Sequence, residues 1–171
     1  MNEYASTSIS VRLIFVWLFL FSLVLLWSGI NPHDRFTWFL EVLPALIGLV
    51  ILAATYKQFR FTRLVYWLML VHAIILMIGG HYTYAEVPLF NWIRDAFHLG
   101  RNHYDKVGHF AQGFVPAIIA REILIRESPI KHGKWLSFMV ICISLALSAT
   151  YEFIEWWVSE ITGTAAEAFL G

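Results

Sequence analysis

Leu13-Ile-Phe-Val-Trp-Leu-Phe-Leu-Phe-Ser-Leu-Val-Leu-Leu-Trp-Ser-Gly-Ile30 is an 18-residue run without one ionisable side chain. A hydrocarbon core of about 30 Å is crossed by roughly 20 helical residues, because a helix satisfies its backbone hydrogen bonds internally. The run therefore reads as a membrane-spanning helix. Arg12 just before it, after a polar and Ser/Thr-rich start, would also fit a signal peptide. However, Trp27-Ser-Gly-Ile30 offers no small-x-small cleavage site and more apolar runs follow, so the segment reads as a retained anchor.

Working outward, the same pattern recurs. The 171 residues are 59% hydrophobic and 17% aromatic, with only 14% charged, which points to a polytopic membrane protein. The expected fold is an all-α transmembrane bundle, one integral membrane domain over 1–171. It has five spans, at about 13–30, 38–56, 64–80, 107–124 and 135–158. Zero net charge gives no basic surface for nucleic acid. Cys142, the single cysteine, lies mid-way in an apolar run; it has no intrachain disulfide partner and reads as core filler. In the long connection after the third span, Leu89, Trp92, Ile93, Ala96 and Phe97 recur at helical spacing behind Pro88. A short helix over 88–99 would lie in the membrane interface or pack over a site as a lid.

Orientation follows from the Lys/Arg balance. With the N-terminus inside, the inner segments hold eight bases (Arg12, Lys57, Arg60, Arg63, Arg121, Arg126, Lys131, Lys134) and the outer ones four (Arg35, Arg94, Arg101, Lys106). This N-in topology carries His81, Asp105, His109, Glu152, Glu155 and Glu41 to one membrane face. Ionisable groups beside lipid are costly, so their convergence is a functional-site hypothesis.

Asp105-Lys-Val-Gly-His109-Phe-Ala-Gln112 places Asp105, His109 and Gln112 at i, i+4, i+7, one face of a helix. A carboxylate and an imidazole so spaced can share a divalent metal, or the acid can orient a catalytic histidine. The structural alternative has Asp105 capping the helix and His109 hydrogen-bonding in the bundle. His103 lies off that face and would join from the loop. Glu152 and Glu155, at i, i+3 near the end of the last span, could ligate a metal or work as acid and base. They could equally be solvated acids beside the aromatic belt of Trp156 and Trp157. Gly79-Gly80 reads as a flexible pair ending the third span, with His81 and Glu86 either completing the site or serving as loop residues. His72, mid-span, reads as a hydrogen-bonding core histidine before a proton relay. There is no nucleotide loop, Gly-x-Ser-x-Gly elbow or His-Glu-x-x-His zinc helix.

Three segments carry a resemblance: Gly79-Gly-His-Tyr-Thr-Tyr-Ala-Glu-Val-Pro88, Arg101-Asn-His-Tyr-Asp-Lys-Val-Gly-His-Phe110 and Tyr151-Glu-Phe-Ile-Glu-Trp156. Across essentially the whole chain they resemble the YjdF-type family of bacterial inner-membrane proteins, which have no assigned biochemical function. The shorter Asp105-Lys-x-x-His109-Phe pattern is similar to VanZ-like membrane proteins, some linked to glycopeptide-antibiotic resistance. The resemblance implies a multi-pass protein of the bacterial inner membrane. It also implies an Asp-rich motif and a further span after Glu155-Trp156, whereas this sequence stops at Gly171.

The residues together suggest an enzyme-like, metal-assisted site acting on a lipid-linked or envelope substrate. His81, His103, Asp105, His109 and Glu152 are the candidate ligands of a divalent metal ion. His109, Glu152 and Glu155 are the candidate acid–base groups. The alternatives are a proton-coupled transporter using His72, Glu41 and Glu152, and a non-catalytic membrane partner protein.

Overall fold

The structure, a computed structural model, describes residues 10–162. The polar start and the small-residue tail with Glu167 lie outside the described residues. The regular structure is helical: α1 Val11–Ser28, α2 Arg35–Thr55, α3 Arg63–Tyr82, a 3-10 turn Tyr84–Glu86, α4 Pro88–Ala96, α5 Tyr104–Glu127 and α6 Lys134–Thr162. A helix overlies each stretch read as a span and the short helix over 88–99, with ends shifted by a few residues. Among the described residues four helices, α1, α2, α3 and α6, are long and apolar enough to cross a membrane. The 24 residues of α5 have the length, but Asp105, Lys106, Arg121, Glu122, Arg126 and Glu127 make it more polar.

The chain divides between Gly108 and His109 into two compact units. In the first, α3 is the central helix, packed on both α1 and α2. Its buried Tyr66, Leu70, Ala73, Met77 and Gly80 recur every three or four residues and form one stripe. Lipid tails are as apolar as leucine, so such helices associate through close packing and hydrogen bonds. Both are present. The Trp17 indole of α1 donates to the Tyr66 carbonyl at 2.8 Å and stacks on Phe21 at 5.4 Å. At Gly80 the missing side chain lets α2 approach: a Cβ there would lie 3.0 Å from Glu41 Cβ and 3.4 Å from Trp38 Cα. Gly79 and Gly80 thus sit inside α3, buried, and are contact surfaces, not the flexible pair expected from sequence.

In the second unit the Ser144 hydroxyl of α6 donates to the Gly113 carbonyl of α5 at 2.7 Å. No residue in the most apolar stretch of α6 is buried, leaving a surface suited to lipid and not to water. Leu89 and Trp92 of the short helix α4, and Phe97 just after it, stay 61%, 66% and 69% exposed.

Asp34 starts α2, its carboxylate accepting from the Thr37 backbone N–H at 2.7 Å. That bond holds the carboxyl below its ordinary 3.8. A depressed carboxyl contributes stability above its unfolded pKa and loses it as pH falls through the folded one. Asp34→Ala should therefore cost about 1 kcal/mol near neutral pH. Thermal unfolding in detergent should show the gap from wild type closing only below pH 3.8.

Candidate functional site

After α3 the chain reverses at Thr83, whose φ of 64° is unusual for a branched residue. The reversal turns Tyr84 back into the first unit. Its ring occupies the space that side chains at Gly79 and Gly108 would need: a Cβ there would lie 2.5 Å and 2.7 Å from ring carbons. The ring thus bridges the end of α3 and the first turn of α5. Its hydroxyl donates to Glu41 Oε2 of α2 at 3.0 Å. Glu41 is only 3% exposed, and a carboxyl so buried is costly without hydrogen bonds. The Tyr104 ring stands 5.6 Å from that of Tyr84, and its own hydroxyl donates to the Ile75 carbonyl at 3.0 Å.

His81 is held on the other side of this lock. Its Nδ1 lies 2.9 Å from the Ser28 carbonyl, which only accepts, so Nδ1 carries the proton. The ring packs 4.7 Å from Trp27 and 4.5 Å from Tyr82. Ser28 is fully buried; its hydroxyl accepts from the Trp38 indole at 3.1 Å and donates to the Leu25 carbonyl at 3.0 Å. His81 therefore joins α3 to the end of α1.

The loop before α5 is tied by Asn102, buried at 6% exposure. Its amide donates to the Val87 carbonyl at 3.1 Å and to Asn91 Oδ1 at 2.9 Å, while its oxygen accepts from the Tyr104 N–H at 2.9 Å. Nothing in the sequence singled out Asn102. Asp105 is engaged by Arg101 at 2.6 Å and also accepts from the Lys106 N–H at 2.8 Å. Asp105 itself lies in the first turn of α5. His103 has a buried Nδ1 with no hydrogen-bond partner among the described residues. Glu86 is exposed, and its carbonyl accepts from the Asn91 amide at 3.2 Å.

In the second unit the structure does join two expected residues. His109 Nδ1 on α5 and Glu152 Oε1 on α6 are 3.4 Å apart, with side chains 58% and 52% exposed. The distance is long for a strong hydrogen bond but close enough for electrostatic coupling. Glu155, one turn further, is half-buried. Gln112 keeps a buried amide nitrogen with no partner among the described residues. His81 is engaged by Ser28 and Asp105 by Arg101, and among the described residues no three His, Cys, Asp or Glu side chains are placed to hold a metal.

Comparison with known proteins agrees with the membrane reading. The family described as "Predicted membrane protein (DUF2238)" matches residues 13–171. Inner membrane protein YjdF of Escherichia coli (strain K12) is 48% identical over 150 residues, which cover 88% of this chain and 72% of that protein. No solved structure matches.

The glycine contacts give a direct test. Gly79→Ala or Gly108→Ala should expel the Tyr84 ring and destabilise the protein by about 1–3 kcal/mol, the usual cost of overpacking. Gly113→Ala, where a Cβ would meet nothing within 4 Å, should be neutral or slightly stabilising. Thermal unfolding of the three detergent-purified variants would show the split.

Proposed function

The chain belongs to the DUF2238 family of membrane proteins, and from that premise we propose an inner-membrane protein with an acid–base site for a lipid-linked or envelope substrate. The observation that carries this reading is the His109–Glu152 pair. A carboxylate beside Nδ1 favours the tautomer protonated there and leaves Nε2 with its lone pair free to take a proton. The same carboxylate stabilises the imidazolium that forms. Both side chains are more than half exposed, so a substrate can reach them. By contrast, His81 bonds the Ser28 carbonyl and Asp105 pairs with Arg101.

In this reading the protein crosses the membrane five times, α5 included, with the Lys57–Arg63 loop inside by the positive-inside rule. His109 and Glu152 then lie toward the outer leaflet, where envelope precursors are presented. Glu155 assists from the next turn of α6. A divalent ion at this site would share His109 and Glu152 and complete its shell with substrate oxygens; elemental analysis of purified wild type against His109→Ala tests for it.

Lipid profiling tests the acid–base reading. Envelopes of cells overproducing wild type should show a change in one or more lipid or lipid-linked species. His109→Ala and Glu152→Ala should abolish that change, as expected when an acid–base group worth about 10²–10⁴-fold in rate is lost. Variants as effective as wild type, or a wild type that alters no species, would contradict the reading.

A second reading, proton-coupled transport, is favoured by the buried Glu41 carboxyl under Tyr84 within a membrane helix. It expects proton-driven flux in liposomes that Glu41→Gln abolishes and His109→Ala leaves intact.

A further inference from the structure

Helix α4 is built inside out. Its half-buried side carries Phe90, Asn91 and Arg94, whereas Leu89, Trp92 and Ala96, at i, i+3 and i+7, stand exposed along one face. A surface helix in water shows the reverse, apolar inward and polar outward. The inward polarity of α4 is used. The Asn91 side-chain oxygen accepts from the Asn102 amide at 2.9 Å, and its own amide donates to the Glu86 carbonyl at 3.2 Å. Rolling the apolar face inward would break both bonds.

Contacts with α3 fix how far out α4 lies. The 20 residues of α3 rise about 30 Å, the thickness of a hydrocarbon core. The Ile75 carbonyl, seven residues before Tyr82, lies about 10 Å inside the end of that helix. The Tyr104 hydroxyl donates to this carbonyl at 3.0 Å, and the Phe90 ring of α4 meets the Tyr104 ring at 5.2 Å between centres. Contacts this short keep the Phe90 ring level with the last turns of α3. At the same end the exposed Trp27 lies 6.0 Å from Tyr82, an aromatic pair of the kind that marks a membrane boundary. The open face of α4 thus stands at the depth where lipid borders the protein.

We propose that α4 is seated in the bilayer surface, with Leu89, Trp92 and Ala96 facing the acyl chains just below the headgroups. The seat is apolar. Arg94 and Asp95 bond each other at 2.8 Å, so the helix brings no net charge to the headgroups. Asn102, which holds Asn91, also accepts from the Tyr104 N–H, so the same seat steadies the start of α5. The inference does not depend on the His109–Glu152 chemistry.

The test uses the whole chain carrying Cys142→Ser, with one nitroxide label at Leu89→Cys, Trp92→Cys or Asp95→Cys, in dioleoyl phosphatidylcholine vesicles. Power saturation compares collisions with oxygen, which concentrates among acyl chains, against those with a water-soluble nickel chelate. Labels at positions 89 and 92 should favour oxygen and report a depth of about 5–10 Å, and the label at 95 should favour nickel. Adding dioleoyl phosphatidylglycerol should leave this pattern unchanged. Labels at 89 and 92 that favour nickel would put the face in water and overturn the proposal. Labels there that meet neither reagent would overturn it by showing protein over the face, a second copy included. A pattern that appears only with phosphatidylglycerol would overturn the apolar seat. Should a labelled variant fail to fold, chain-brominated phosphatidylcholine should remove more tryptophan emission from wild type than from Trp92→Phe; equal losses would overturn the proposal as well.

Discussion

A carboxyl group shut inside a membrane protein must be given a hydrogen bond, and here the bond to Glu41 comes from Tyr84. Much of the first unit follows from that requirement. Tyr84 reaches Glu41 only because Thr83 reverses the chain and because Gly79 and Gly108 leave room for the ring. Gly80, next to it, brings α2 close enough for Glu41 to be within reach. Removing any of these would leave a buried polar group unpaired or a ring without a place, each costing on the order of 1–3 kcal/mol.

The remaining polar groups of this unit are engaged in the same way. Ser28, Trp38 and His81 link the ends of α1, α2 and α3, and Asn102 fixes the loop that leads into α5. These contacts are directional, which matters where the hydrophobic effect does not drive helix against helix. Of the ionisable residues that suggested a metal centre, His81 bonds the Ser28 carbonyl at the end of α1. His109 and Glu152 form an exposed pair in the second unit, 3.4 Å apart.

The helices were legible in the sequence because an apolar run near 20 residues has few other uses. The short helix α4 was legible too, from Pro88 and the spacing of Leu89, Trp92 and Phe97. The acid–imidazole pairing across α5 and α6 was visible only as two separate motifs, Asp105-x-x-x-His109 and Glu152-x-x-Glu155. Spacing along one helix suggested Asp105 as the partner of His109, but Arg101 one turn earlier is a stronger and nearer claimant on that carboxylate. The pair Gly79 and Gly80 misled for a related reason. Sequence shows that a side chain is missing at Gly79, Gly80 and Gly108, not which distant ring or helix fills the space. Asn102 gave no signal, since a buried amide hub and a loop asparagine look identical before the chain folds.

The most direct measurement is a double-mutant cycle on Tyr84→Phe and Glu41→Gln, read by unfolding of the purified protein in detergent. A buried hydrogen bond between these two side chains predicts that their effects are not additive, with a coupling of about 1–3 kcal/mol. Effects that simply add would mean that the two side chains do not meet, and Tyr84 would not be the element that organises this end of the fold.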